Sequence, residues 1–313
     1  MKNMTLQQAI LYFSDPMKCV RYMVALRWPD GIVVCPTCGR TDVSWLENQF
    51  KWQCKSRHAK RQFSAKVGTI FEDSPLSLDK WLMAAWMLVN CKNGVSSYEI
   101  ADAIGVTQKS AWFMLHRLRL ALHDDFTDMP KLGGEGGTVE VDETFIGGIP
   151  KNRHLGKREG KKQQVPVVGI LDRNTRQIRA KVVPNVATEA LCSHIMDNVG
   201  KKSEVFTDGW KSYQNLNLAG FVHDTVNHAN QYVNGRVHTQ GIENFWSLLK
   251  RTIKGSYVAV EPFHLDRYID EQVFRYNNRQ QKPVERFSKA LSQIAGKRLT
   301  YAEVTGKVGE IPL

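Results

Sequence analysis

Apolar residues set the rhythm of this chain, and the rhythm changes along it. From Thr5 to about Leu26 they recur at helical spacing, apart from Asp15-Pro16, where proline predicts a break into two helices. Val43 to Trp52 reads as a short hairpin, and Gln62-Phe63-Ser64 continues as strand. Pro75 to Asn90 carries Leu76, Leu78, Trp81, Leu82, Ala85, Trp86, Leu88 and Val89, a helix apolar enough to be core. Ser96 to Leu118 then reads as two helices about Gly105, with Ile100, Ala101, Ile104, Val106, Ala111 and Met114 packing and Thr107 capping the second. This is a helix-turn-helix pattern whose second helix would present Gln108, Lys109 and Ser110 outward, although a plain helical hairpin shares its apolar positions.

Asp124 to Gly137 is rich in Asp, Gly and Glu and has no period, which places the main domain boundary there. Strands dominate beyond it: Val139 to Phe145, then Val165 to Leu171 and Gln177 to Val183 as a hairpin. A helix over Thr188 to Val199 leads to a strand, Glu204 to Thr207, ending at Asp208. A short helix near Trp210 to Leu216, a strand at Phe221 to Val226 and an amphipathic helix bearing Ile242, Phe245, Leu248, Leu249 and Ile253 complete the order βββαβαβα. That order predicts an α/β domain of ribonuclease H-like fold, a mixed sheet with helices on both faces. Phe263 to Tyr276 is a further amphipathic helix expected to cover the sheet. The expected domains are therefore 1–74 (N-terminal helix and ribbon), 75–128 (helical, helix-turn-helix), 138–295 (ribonuclease H-like) and 296–313 (tail).

Charge and cysteine usage narrow the chemistry. Of 313 residues, 43 are Lys or Arg and 31 Asp or Glu, a net +12 that points to a polyanion, nucleic acid first. The apolar N-terminal run is interrupted by Gln7, Gln8 and Asp15 before a membrane span or signal peptide is complete, so no membrane partner and a cytoplasmic location are expected. Cys19, Cys91 and Cys192 are scattered among apolar residues and read as buried thiols. Cys35-Pro36-Thr37-Cys38-Gly39 is a zinc knuckle, with Gly39 permitting the tight turn. Cys54 supplies a third ligand and His58 a fourth, four positions further on, for one structural Zn²⁺.

Three carboxylates hold corresponding places in the α/β domain. Asp142 lies on its first strand, Asp208 at the C-terminal end of its fourth, and Glu243 on the helix after the fifth. Where first and fourth strands are neighbours these positions converge, and hard oxygen ligands of this kind suit two Mg²⁺ or Mn²⁺ ions clamping an in-line phosphoryl transfer. Glu140 shares a strand face with Asp142, whereas Glu143 faces the other way. Asn244 stands about 100° from Glu243 around the helix, so only one of the two can face the metals; Glu243 shares its face with Trp246 and Lys250. Lys157, Arg158, Lys161 and Lys162 belong to a basic loop able to follow a DNA backbone. Trp210 and Tyr213 are candidates for core packing or base stacking.

Six blocks occur in order: Cys-Pro-Thr-Cys-Gly; Gln62-Phe63-Ser64 with Gly68-Thr69-Ile70-Phe71-Glu72-Asp73-Ser74; the helices through Ala111 to Arg117; Val141-Asp142-Glu143-Thr144-Phe145-Ile146-Gly147-Gly148; Thr207-Asp208-Gly209; and Gly241-Ile242-Glu243-Asn244-Phe245-Trp246. Together they resemble the zinc-ribbon DDE transposases of bacterial insertion sequences, family fifteen-ninety-five, with an ISXO-type transposase domain. The resemblance implies Asp142, Asp208 and Glu243 as the metal-binding triad and Lys250 as the basic residue after it. It also implies Cys35, Cys38, Cys54 and His58 as zinc ligands. The expected substrates are double-stranded terminal inverted repeats and target DNA, cut and joined by a nucleoid-associated protein that is at least a homodimer on DNA. A non-catalytic zinc-ribbon and helix-turn-helix regulator derived from a transposase is the alternative; converging carboxylates would serve it no purpose.

Overall fold

The computed structural model describes residues 4–147, 164–208, 220–226 and 237–307. In chain order its elements are α1 (Leu6–Phe13), α2 (Pro16–Arg27), β1 (Val43–Leu46), β2 (Lys51–Cys54), β3 (Gln62–Phe63), α3 (Leu78–Asn90), α4 (Ser97–Ile104), α5 (Gln108–Leu122), β4 (Leu132–Gly133), β5 (Thr138–Ile146), β6 (Val165–Asp172), β7 (Ile178–Val182), α6 (Thr188–Asn198), β8 (Val199–Gly200), β9 (Glu204–Asp208), β10 (Val222–Val226), α7 (Gln240–Thr252), α8 (Leu265–Asn277), α9 (Pro283–Ser292) and α10 (Tyr301–Val304). Two compact units result, Met1–Leu122 with Gln280–Leu313, and His123–Arg279.

In the first unit Asp15 separates α1 from α2 and caps the latter, accepting the amides of Met17 and Lys18 ahead of a first-turn proline. β1, β2 and β3 form an antiparallel ribbon whose small core is aromatic, Trp52 packing against Trp28, Trp45 and Phe63. α3 starts at Leu78 rather than at Pro75. Lys66 accounts for the delay: its ammonium donates to the carbonyls of Ser74 and Leu76, holding them in a turn before Ser77 opens the helix. α4 begins with a reciprocal Ser96/Glu99 capping box and ends on Gly105 at φ 62°, a left-handed conformation that glycine adopts without strain. Thr107 then accepts the amide of Ser110 at the start of α5.

The C-terminal assignment needs correction. The sequence pattern places residues 280–295 in the α/β domain and 296–313 as a tail, whereas α9 packs into the first unit, to which Gln280–Leu313 belong. Phe287 stacks on Tyr22 with centroids 5.6 Å apart and meets Phe13 and Trp86, while Arg117 donates to the carbonyls of Glu72 and Leu299. The cause is the apolar stripe Val284, Phe287, Ala290 and Leu291, which finds its complement in an aromatic patch far earlier in the chain.

In the second unit the sheet order is β10-β9-β5-β6-β7. β5, β6 and β7 run antiparallel, and β5, β9 and β10 parallel, so the first strand is central. Alternation along the strands gives two apolar faces. On one, Val139, Val141, Val168, Ile170 and Val205 pack with Leu191 and Ile195 of α6. On the other, Val167, Leu171, Ile178 and Ala180 pack with Ile242, Phe245 and Leu249 of α7 and with Ile269 and Val273 of α8. The unit is thus a mixed α/β sheet covered by helices on both faces. The helix expected at Trp210 to Leu216 lies outside the described residues. Among those described, no helix is long and apolar enough to cross a membrane.

Candidate active site and metal centre

α7 carries much of the site, and its start is held from outside. Thr239 is its N-cap but makes no side-chain cap; its hydroxyl donates instead to Glu243 Oε1 at 3.0 Å. The buried first-turn amide of Ile242, which has no partner within the helix ladder, donates to Glu140 Oε2 at 2.9 Å, from β5. Glu140 is 1 % exposed, and its other oxygen accepts Arg173 Nε at 2.7 Å, with His238 Nδ1 3.6 Å away. Arg173 also lies over the Phe206 ring, 4.7 Å from its centroid. Glycine at position 241 lets the helix start approach this closely, because a Cβ there would stand 2.5 Å from Leu171 Cδ2 and 2.8 Å from Glu140 Oε2 and would displace one or both side chains. Glu140, the rival on the face of Asp142, is therefore committed to fastening α7.

Two residues further along β5 stands Asp142. Pairing of β5 with β9 ends at Glu140 opposite Phe206, and with a period of two Asp142 and Asp208 follow on that same face. Asp142 is half-buried, and burial pushes its carboxyl up to about 7, helped by the negative charges of Glu143 and Asp208. Trp246 Nε1 donates to Asp142 Oδ2 at 3.0 Å and acts in the opposite sense, as does the Glu143 amide.

A cavity of about 580 Å³ opens at this point. Asp142, Glu143 and Thr144 line it from β5; Glu243, Trp246, Ser247, Lys250, Arg251 and Lys254 line it from α7 and the π-helical stretch, Ile253–Tyr257, that continues it. Asp142, Glu243 and Lys250 thus meet at one space, and Asp208 acts on Asp142 from β9. Asn244 is exposed and does not line the cavity. Ser247 and Lys254 repeat the helical spacing of Glu243 and Lys250, so that signal was present in the sequence. Glu143 was not legible, since strict alternation assigns it to the opposite face; it reaches the cavity where β5 has lost its β9 neighbour.

In the ribbon, the ligand atoms of Cys35, Cys38, Cys54 and His58 all lie within 4.8 Å of one another. Cys35 Sγ to His58 Nε2 is 3.5 Å and Cys38 Sγ to Cys54 Sγ 3.6 Å. Those separations are the edges of a tetrahedron with metal–ligand bonds of about 2.3 Å to sulfur and about 2.0 Å to nitrogen, so the set fits Zn²⁺. His58 Nδ1 sits 2.6 Å from the Ala59 carbonyl, an outer contact that turns Nε2 toward the thiols despite the wide spacing from Cys54. By contrast Cys19 is a buried thiol bonded to the Phe13 carbonyl, and burial above all pushes it up to about 12. Cys91 and Cys192 are only half-buried.

The three outward residues expected on α5 are engaged within their own unit. Gln108 Nε2 donates to Ser97 Oγ at 2.8 Å, Lys109 Nζ lies 5.0 Å from the centroid of the Tyr301 ring, and Ser110 Oγ is 2.9 Å from Thr107 Oγ1. Lys157, Arg158, Lys161, Lys162, Trp210 and Tyr213 lie outside the described residues.

Residues 15–59 match the transposase zinc-ribbon domain and residues 132–277 the ISXO2-like transposase domain. An uncharacterized protein of the transposable element ISH50 of Halobacterium salinarum is 27% identical over 76% of this chain and 83% of its own length. An uncharacterized transposase-like protein of Haemophilus influenzae is 33% identical over 31% of this chain and 78% of its own. Among solved structures, a chain of the simian T-cell lymphotropic virus intasome in complex with PP2A regulatory subunit B56 gamma aligns with 61% of this chain at 14% identity and a TM-score of 0.31. That alignment takes in 64% of the other chain, under two thirds of its length, and is too distant to carry weight. With a ribbon match followed by a transposase-domain match, and relatives of the same kind, the chain belongs to the zinc-ribbon, ISXO2-like transposases of insertion sequences.

Proposed function

We propose that this protein is a catalytically competent insertion-sequence transposase, with a ribonuclease H-like catalytic unit, that binds its element's ends and cleaves and transfers DNA strands with divalent metal. The observation that carries this reading is the cavity where Asp142 and Glu243 face Lys250, Arg251 and Lys254, with Asp208 beside Asp142. Burial, with the negative charges of Glu143 and Asp208, raises the proton affinity of Asp142, and grouped carboxylates are a poor surface for phosphate unless a cation sits among them. Their hard oxygens fit Mg²⁺ or Mn²⁺, and we assign Asp142, Asp208 and Glu243 as the groups that would hold two such ions. When bound, the ions would activate water or a 3′-hydroxyl and stabilise charge on the leaving oxygen. Lys250 binds a phosphate near the scissile bond, and Arg251 and Lys254 extend that basic wall along the strand. The Trp246 ring walls the cavity on its protein side.

End recognition is assigned to the first unit. α4, the Gly105 turn and α5 form the helix-turn-helix; Lys109 leaves the Tyr301 ring to reach DNA, with Gln108 and Ser110 alongside. The ribbon folds around one structural Zn²⁺. Lys157, Arg158, Lys161 and Lys162 follow the backbone near the active site, and concerted transfer of two ends makes the working form at least a dimer on DNA.

The test uses linear DNA carrying the repeats that flank the reading frame. Asp208→Asn removes a charged ligand at nearly constant shape, so Mn²⁺-dependent nicking collapses while end binding persists or tightens. Lys109→Ala does the reverse, weakening end binding more than chemistry on bound DNA. Wild-type protein that binds the ends and never nicks them would make the regulator reading the better one.

A further inference from the structure

Trp246 does something that core packing alone does not require. It is 4 % exposed, and its ring lies against Gly169 of β6, where a Cβ would come within 2.8 Å of Cζ2 and Cη2. Glycine inside a buried strand costs strand stability, and here it makes room for the indole. Gly169 is the residue paired with Asp142 across β5 and β6. The ring therefore crosses from α7 over one member of the pair and delivers its N–H to the other, 3.0 Å from Asp142 Oδ2. Phe245 packs on the indole with centroids 5.1 Å apart, so the donor has little freedom.

We propose that Trp246 is a positioning residue: its indole N–H fixes the Asp142 carboxyl so that Oδ1 is turned to the cavity as a metal ligand. This rests on the reading of Asp142 as a metal ligand. A donor to one carboxylate oxygen fixes the plane of the group, and loss of such an outer contact lowers metal affinity by about 10–100-fold. Phenylalanine would fill much of the same space without the donor. The pairing of a strand glycine with a helix tryptophan is thus explained by the aim of one hydrogen bond.

The experiment is Mn²⁺ titration of the full-length protein, read by the magnetic resonance of free Mn²⁺, on wild type, W246F, G169A and D142N. Zinc content and thermal melting are followed alongside. W246F should bind Mn²⁺ about 10–100-fold more weakly with zinc content unchanged. G169A, which pushes the ring off its seat while keeping the indole, should weaken binding in the same direction and stands in if W246F does not fold. Nicking by W246F should be low at Mn²⁺ levels that saturate wild type and recover at higher Mn²⁺, a rescue that a purely structural defect would not show. Wild-type affinity in W246F overturns the inference and leaves the site reading standing. Wild-type affinity in D142N overturns both.

Discussion

Glu140 supplies the first turn of α7 with a partner that the helix's own N-cap does not provide. Thr239 spends its hydroxyl on Glu243, and the Ile242 amide is met by a buried carboxylate that also pairs with Arg173. Removing one member of a buried ion pair strands the other, at a cost of about 3–5 kcal/mol. Glu140→Ala should therefore destabilise the second unit by about that amount in urea unfolding. A loss below about 1 kcal/mol would mean that the pair does not hold the helix. The sequence put Glu140 and Asp142 on one face and Glu243 with Lys250 on one helical stripe, because period two and period 3.6 are local rules. It could not say which acid would be spent on structure. Arg173 lies 33 residues from Glu140 and meets it only because β5 and β6 pair, and Glu143 reaches the cavity only where the sheet ends.

At the scale of elements, the ribbon is the clearest case of metal standing in for a core. Its strands are two to four residues long and its packing is mainly the aromatic set around Trp52. Such a piece depends on its metal for most of its folding energy. The purified protein should hold about one zinc per chain by elemental analysis, and chelation should unfold the ribbon, seen as loss of amide protection over 35–63. Cys54→Ala should release the metal, whereas His58→Ala should retain part of it if water can take the fourth place. A zinc-free protein with its ribbon protected would contradict this. The knuckle was legible because Cys-x-x-Cys-Gly is a local turn with a local reason. The late start of α3 was not, since Lys66, which holds residues 74–76 in a turn, carries no mark of that duty.

Over the whole molecule, the chain leaves its first unit at Leu122, builds the sheet unit, and returns from Gln280 to finish the first. Reading in order predicts a boundary at 124–137, where periodicity fails, close to the change of unit after Leu122, but it does not reveal the return, because α9 has the same amphipathic stripe whichever surface it covers. The order of strands and helices among the described residues of the sheet unit was legible for the opposite reason: alternation, turn residues and the hairpin about Asp172 to Thr175 restrict its topology to few choices. In the function proposed above, this sheet unit brings together carboxylates for metal-dependent DNA cleavage, with Glu243 rather than its neighbour as the third. The most direct measurement compares Mn²⁺-dependent cleavage of the element's own end DNA by wild type, Glu243→Gln and Asn244→Ala at equal DNA occupancy. Wild type should cleave, Asn244→Ala should retain most of that activity, and Glu243→Gln should lose about 10²–10³-fold, the size of effect seen when a group stabilising transition-state charge is removed. Normal cleavage by Glu243→Gln beside an inactive Asn244→Ala protein would contradict it.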